Sequence, residues 1–361
     1  MINFSRESIE IGGSGGGSGG GAPPPNGYNP EWLPAPATTD TTVNGKTDAL
    51  YMLCNVLDTG NRNYFSCNAS GNYTVNVYTG INGTLISTQD FSANVQANWQ
   101  IDYAACTHQL DALTRQAYVE IVPQSGQVLS ELKFNTNHPN ETNTNTAPNV
   151  IAVIGALPAL TNATNMFTAC YSLQSVNLNL PALTNATNMF YICLSLQSVN
   201  LSLPALTNAA YMFNTCYSLQ SVNLNLPALT NATNMFYTCN SLQSVNLSLP
   251  ALTNATNMFY ACYSLQSVNL NLPALTNATN MFGTAMTDGQ SLRSLRKIQL
   301  TGLKQGFALN FGALQAPEIN ELFTSLGDAS GAKTIDIRNQ PGSATCNVSI
   351  AVVKGYTVVI A

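Results

Sequence analysis

Apolar and polar positions recur along the middle of this chain with a fixed period of 23 residues, because Leu-Pro-Ala-Leu-Thr-Asn-Ala begins at Leu157, Leu180, Leu203, Leu226, Leu249 and Leu272. That period lies within the range of leucine-rich repeats. Inside one unit, Leu196, Val199, Leu201 and Leu203 follow a Leu-x-x-Leu-x-Leu pattern. Alternation of side chains across a strand turns these residues inward and leaves Asn200 and Ser202 outward. Successive units would stack their strands about 4.8 Å apart. The other half of the unit, as in residues 231–239, offers Met235, Phe236 and Cys239 as the inward set of a short turn or helix. One unit cannot close a core by itself, so the array depends on its neighbours and on end caps.

A different rhythm precedes the repeats. Short alternating runs at Tyr73–Tyr78, Tyr118–Val122 and Val128–Phe134, separated by Asn, Gly and Pro, predict an antiparallel all-β sandwich over residues 26–149. Their order resembles small modules of the polycystic-kidney-disease or immunoglobulin-like kind, without the Trp-Gly-Asp-Gly turn such modules often carry. Residues 12–25 read as a flexible Gly-rich tether passing into a stiffer Pro stretch. Ahead of it, in residues 1–11, Ile2, Phe4, Ile9 and Ile11 would let the segment add a strand to a partner's sheet, making it an attachment peptide. The other reading is an unstructured terminus. Residues 135–149 read as a second linker, residues 150–303 as the solenoid, and residues 304–361 as divergent repeats closing it. In that last part Ile319, Leu322, Phe323 and Leu326 fall on one helical face, while Thr334–Ile337 and Tyr356–Ile360 read as strands.

Charge narrows the chemistry. Asp, Glu, Lys and Arg make up 8% of the chain, against about 25% in an average soluble protein. The net charge is -5 and no Lys/Arg run exists, so a nucleic-acid partner is not expected. No run of about 18 apolar residues predicts a membrane span, and the N-terminus lacks the apolar core of a secretory signal. Between Glu141 and Asp288 no Asp, Glu, Lys, Arg or His occurs, which leaves no group there for acid–base catalysis. No metal or cofactor is expected. The two histidines, His108 and His138, read as solvated or locally bonded. Of nine cysteines, Cys170, Cys193, Cys216, Cys239 and Cys262 fall at the repeat period and read as buried thiols, since a linear ladder does not converge on zinc. Whether Cys54, Cys67, Cys106 and Cys346 form disulfides is left open. Asn-x-Thr recurs at Asn162, Asn185, Asn231, Asn254 and Asn277. It reads as an amide ladder bonding backbone groups in a tight turn, with glycosylation as the alternative.

The units differ at two places flanking the cysteine. After Phe stand Thr168, Tyr191, Asn214, Tyr237, Tyr260 and Gly283; after Cys stand Tyr171, Leu194, Tyr217, Asn240 and Tyr263. A solvent-facing ridge of Tyr191, Tyr217, Tyr237, Tyr260 and Tyr263 is therefore one candidate binding surface. The strand face with Asn200, Asn223 and Asn246 is the other. The string at residues 232–247, with Met-Phe-x-x-Cys-x-Ser-Leu at Met166, Met189, Met212, Met235 and Met258, resembles the BspA-type leucine-rich repeats of bacterial surface proteins. It is also similar to repeats of mycoplasma lipoproteins and phage tail proteins, and it departs from the pattern at Ala285. The resemblance implies surface adhesion or recognition without a reaction. The architecture is expected to be a virion component, a phage head or tail fibre, adhesin or decoration protein on the virion surface. Its N-terminus would join a capsid or tail protein, and its solenoid would meet a host-surface glycan or protein. The alternative is a BspA-like adhesin of the bacterial cell surface. Further readings are a polysaccharide-degrading enzyme with paired carboxylates and a self-packing filament subunit, a homo-oligomer.

Overall fold

A computed structural model describes residues 49–57, 66–78, 84–92, 104–106, 108–109, 114–134, 150–283, 292–309 and 312–360. The attachment peptide with Ile2, Phe4, Ile9 and Ile11, the Gly-rich tether, the linker at 135–149, His138 and Ala285 lie outside the described residues. The chain forms two compact units. One comprises Met1–Leu132, Thr136–Ala159 and Val176–Asn179; the other comprises Lys133–Asn135, Leu160–Ser175 and Leu180–Ala361.

The first unit contains β1 (Leu50–Leu57), β2 (Ser66–Ala69), β3 (Tyr73–Tyr78), β4 (Leu85–Phe91), β5 (His108–Gln109), β6 (Thr114–Pro123), β7 (Leu129–Lys133), β8 (Val150–Ala156) and β9 (Ser175–Asn179). Its main sheet runs β4-β3-β6-β1-β8-β9 with β5 paired to β6, and β2 and β7 form a second, two-stranded sheet. The all-β N-terminal region is thus built from two unequal sheets. All seven residues of β8 are buried, which explains its unbroken Val-Ile-Ala-Val-Ile-Gly-Ala run: a strand covered on both faces needs no polar alternation. β8 lies antiparallel to β1, and a Cβ at Gly155 would stand 2.5 Å from the Ala49 carbonyl oxygen, so only glycine permits this approach. Opposite it in the sheet, Tyr51 and Asn76 flank Glu120 from either side. The buried Glu120 carboxylate accepts from Asn76 Nδ2 (2.9 Å) and the Tyr78 hydroxyl (3.2 Å), which satisfies a charge placed inside the sheet.

The second unit carries β10 (Ser198–Ser202), β11 (Ser221–Asn225), β12 (Ser244–Ser248), β13 (Ser267–Asn271), β14 (Lys297–Thr301), β15 (Phe307–Ala308), α1 (Ala316–Ser325), β16 (Lys333–Asp336), α2 (Ser349–Val352) and β17 (Tyr356–Val359). β10 and β11 pair parallel and in repeat register, Val199 beside Val222 and Leu201 beside Leu224, and β12, β13 and β14 do the same. The half-unit containing Met, Phe and Cys is a chain of tight turns, not a helix. Two residues per unit hold it in the left-handed region. One precedes Met (Asn165, Asn188, Tyr211, Asn234, Asn257, Asn280, φ from 48 to 59) and one precedes Cys (Ala169, Ile192, Thr215, Thr238, Ala261, φ from 58 to 64). Asn is the commonest non-glycine residue to tolerate that conformation, which accounts for its recurrence before Met. Tyr211 is the exception, with φ 59 and 39% exposure. Tyr211→Asn should therefore raise unfolding stability by about 0.5–1 kcal/mol, read as a higher denaturant midpoint. An unchanged or lower midpoint would show that Tyr211 recovers its strain through packing.

Inside, the phenylalanines stack in a column: Phe167, Phe190, Phe213, Phe236, Phe259 and Phe282 follow one another at centroid separations of 5.1 to 5.8 Å. Phe134 extends the column at its start, 5.1 Å from Phe167, with its N–H on the Met166 carbonyl. The strands are less continuous than this column. β11 and β12 belong to different sheets, and Val222 and Leu224 are half-buried where their counterparts Val245 and Leu247 are buried. At the far end α1 buries Ile319, Leu322 and Phe323, with Glu318 reaching back to the Gln315 N–H at 3.1 Å. β15, β16 and β17 form a last parallel sheet, and the Tyr356 hydroxyl ties it to the Leu303 carbonyl at 2.7 Å. Of the helical face expected from Ile319, Leu322, Phe323 and Leu326, the first three lie on α1 and Leu326 is buried as the extended residue that ends it; both C-terminal strands are present.

Candidate functional site

The repeat turns each unit's variable positions into columns. In the column after Cys, Tyr171, Tyr217 and Tyr263 are exposed by 43%, 45% and 38%. Leu194 and Asn240 stand between them, so these tyrosines recur on every second unit, about 10 Å apart at strand spacing. In the column after Phe, Tyr191, Tyr237 and Tyr260 are half-buried. Tyr237 and Tyr260 stack on each other with centroids 4.8 Å apart and planes within 5°. Burial raises the Tyr237 hydroxyl above its ordinary range, with the neighbouring Tyr260 adding to the effect. The expected single ridge is thus two columns of unlike exposure, and Asn214, expected at the surface, is buried. Tyr171, expected at the surface with the other residues after Cys, is exposed, and so is Tyr211.

On the strand face, Asn223 and Asn246 are exposed and Asn200 is half-buried. These amides are tied into pairs, Asn223 Nδ2 to Asn200 Oδ1 (3.3 Å) and Asn269 Nδ2 to Asn246 Oδ1 (3.0 Å). A ligand there competes with existing bonds.

The Asn-x-Thr positions form the expected ladder. In one unit Asn231 Oδ1 accepts from the Thr233 N–H (3.1 Å) and hydroxyl (2.7 Å), while its Nδ2 donates to Asn208 Oδ1 (3.1 Å). Asn208 takes its place although Ala210 replaces the Thr. Backbone bridges link Asn162, Asn185, Asn208, Asn231, Asn254 and Asn277 in parallel. Beside them the exposed hydroxyls of Thr184, Thr207, Thr230, Thr253 and Thr276 each donate to the Thr carbonyl of the previous unit at 3.0 Å.

The periodic cysteines are buried, and the thiols of Cys193, Cys216, Cys239 and Cys262 donate to the carbonyls of Phe167, Phe190, Phe213 and Phe236 at 3.0 to 3.1 Å. Burial pushes the Cys262 thiol up to about 12, and burial with the charge of Cys106 does the same for Cys54. Thiolate is the reactive species. Of the nine cysteines, only Cys346 is not buried. A short incubation of folded protein with a maleimide at pH 8 should therefore give a single adduct, mapping to Cys346 by mass spectrometry. Several rapid adducts on the repeat cysteines would contradict this packing.

Among the described residues no group of three or more His, Cys, Asp or Glu side chains is placed to hold a metal ion. No described helix is long and apolar enough to cross a membrane. The described residues offer these contact surfaces.

Comparison with known proteins bears on the same segment. Residues 161–286 match the model of the BspA type leucine rich repeat region in six copies. No curated protein matches the chain. Among solved structures, the chain is similar to a leucine rich cell surface protein from Faecalibacterium prausnitzii A2-165, at 16% identity and a TM-score of 0.27. The similarity covers 52% of this chain and 65% of that one, so the chain spans just under two thirds of that protein's length. The leucine-rich-repeat solenoid of this chain is, over residues 161–286, similar to the BspA-type repeat region.

Proposed function

We propose that this chain is a non-enzymatic recognition protein of a bacterial cell surface, a BspA-like adhesin whose repeats bind a glycan or a protein surface through the exposed tyrosines. The six-copy family match supports the cell-surface setting. The virion-fibre setting draws no support from the comparisons. The observation that carries the reading is the column of Tyr171, Tyr217 and Tyr263, exposed on a charge-free scaffold at every second unit. Tyrosine supplies a large, rigid contact at low conformational cost. A rigid column of them at one interval suits a ligand that itself repeats, such as an extended polysaccharide or a coiled-coil surface.

The test is binding of labelled full-length protein to intact cells and to immobilised surface polysaccharide. The triple variant Tyr171→Ala, Tyr217→Ala, Tyr263→Ala should bind at least tenfold more weakly while keeping its melting temperature, since buried aromatic anchors are each worth about 1 kcal/mol or more. Undiminished binding by this variant would sink the tyrosine reading. A matching loss in Asn223→Ala, Asn246→Ala would move the site to the strand face.

A further inference from the structure

Where the last of the six matched repeats meets the C-terminal segments, the second unit opens into a cleft of about 470 Å³. Asn277, Thr279 and Asn280 line one side, and Gln305 and Lys333 line the other. The cleft exists because the hydrogen-bond ladder stops there. In earlier repeats the amides equivalent to Ala278 and Asn280 donate to the following unit: Ala255 N–H to the Asn277 carbonyl and Asn257 N–H to the Thr279 carbonyl, both at 2.9 Å. After Thr279 the next segment has turned away, and Phe307 and Ala308 pair with Ile335 and Asp336 instead. Among the described residues the Ala278 and Asn280 N–H groups have no acceptor. Two parallel donors thus line the cleft on the side where a further unit would have supplied carbonyls.

The charge around the cleft has a matching sign. Lys333 lines it and makes no ion pair among the described residues. Asp336 on the same strand is already engaged by Arg338 at 2.6 Å, so it does not neutralise the lysine. Across the whole chain, residues 1–141 hold five Lys or Arg against twelve Asp or Glu, while residues 288–361 hold seven against five. An anion is therefore drawn to this end of the chain and away from the N-terminal region. The remaining lining is uncharged: Gly306, Phe307 and Ala308 give it an apolar part, and Asn277, Thr279 and Gln305 give amides and a hydroxyl. The Thr279 hydroxyl donates to Asn277 Oδ1 (2.7 Å) and Gln305 Nε2 to Ser330 Oγ (3.1 Å), which leaves the Asn277 Nδ2, the Gln305 Oε1 and the Thr279 oxygen lone pairs for a ligand. That combination of backbone N–H pair, one ammonium and several amides matches an acceptor-rich polyol carrying one negative charge.

We infer that this cleft binds a carboxylate-bearing sugar, its carboxylate on Lys333 and the Ala278 and Asn280 amides and its hydroxyls on Asn277, Thr279 and Gln305. The site extends the surface-recognition reading and rests on it for the choice of a sugar. Isothermal titration of the full chain with glucuronate should give a dissociation constant on the order of 1 mM, with methyl glucoside at least tenfold weaker. Lys333→Gln should weaken glucuronate about tenfold without shifting the melting temperature. Gln305→Ala should weaken methyl glucoside and glucuronate alike.

Three results would overturn the inference: no glucuronate binding to the folded chain, equal binding of the neutral glucoside, or Lys333→Gln binding as well as the unaltered chain. Acetate or sulfate binding as tightly as glucuronate would reduce the cleft to a bare anion site and overturn the sugar assignment. The triple tyrosine variant separates the two readings. If it loses cell binding and keeps glucuronate, the column and the cleft are distinct sites; if it keeps cell binding, the column reading fails while the cleft is judged by its own titration.

Discussion

Phe213→Ala should lower unfolding stability by about 3–5 kcal/mol and split the denaturant transition in two. Phe213 is fully buried and sandwiched between Phe190 at 5.3 Å and Phe236 at 5.5 Å, with all three rings within 4° of parallel. Removing the ring opens a cavity that neighbouring rings cannot fill, because each is fixed by its own unit's hydrogen bonds. In a solenoid each unit contacts only its neighbours, so a weakened unit uncouples the two flanks. Phe213 also belongs to the unit that carries β11, whose strand is not bonded to β12. The phenylalanine column, the Asn bridge from Asn208 to Asn231 and turn-to-turn bonds such as Phe213 N–H to the Met235 carbonyl (2.9 Å) still join the units there. Phe282→Ala offers the comparison. Among the described residues that ring stacks on Phe259 alone, at 5.8 Å, and its loss should cost less stability with the transition still single. Equal losses at both positions would mean that the column does not carry cooperativity between units.

Much of this architecture was legible because the repeat writes the same physical constraint six times. The inward Met, Phe and Cys, the outward Asn of the strands and the Asn-x-Thr ladder each follow from side-chain direction and turn chemistry in one unit, multiplied by the period. The amphipathic spacing of Ile319, Leu322 and Phe323 similarly announced α1. What the repeat could not reveal is what differs between identical units. β9, β11 and β13 share the sequence Ser-Val-Asn-Leu-Asn, yet β13 buries its Val and Leu while β11 leaves both half-exposed. No property of those five residues separates them; β11 is the strand at which the pairing with the next unit breaks.

The column after Phe shows the same effect at the candidate site. Tyr237 and Tyr260 cover each other because they are consecutive, whereas the tyrosines after Cys alternate with Leu194 and Asn240 and stay exposed. Phe134 was invisible as the head of the phenylalanine column, since it precedes the first repeat and carries none of its motif. The cleft was hidden for a related reason. It arises where the register interval lengthens, Ser267 pairing with Lys297 after a run of pairs 23 residues apart, so the chain reaches Gln305 out of step with the Asn ladder.

The Asn ladder yields a prediction in which pH decides the outcome. Asn231→Asp keeps the oxygen that accepts from Thr233, but its second oxygen replaces the Nδ2 that donated to Asn208 Oδ1 at 3.1 Å. As a carboxylate it sets an anion against a carbonyl oxygen in a half-buried ladder whose repeats, residues 142–287, contain no Lys or Arg. As a neutral acid it donates a hydrogen bond in place of the lost amide. Folding therefore favours the protonated form and holds the carboxyl above its unfolded value of about 3.9. The unfolded chain releases its proton first as pH rises, so the penalty is absent below about pH 4, grows through the folded value, and is complete above it. The variant should match the unaltered chain at pH 3.5 and lose about 2–3 kcal/mol by pH 7, measured as the difference in urea midpoints across that range. Asn162→Asp, exposed at the first unit with no earlier amide to oppose it, should show little pH dependence. If Asn231→Asp instead lost stability as pH fell, the amide would not be donating along the ladder.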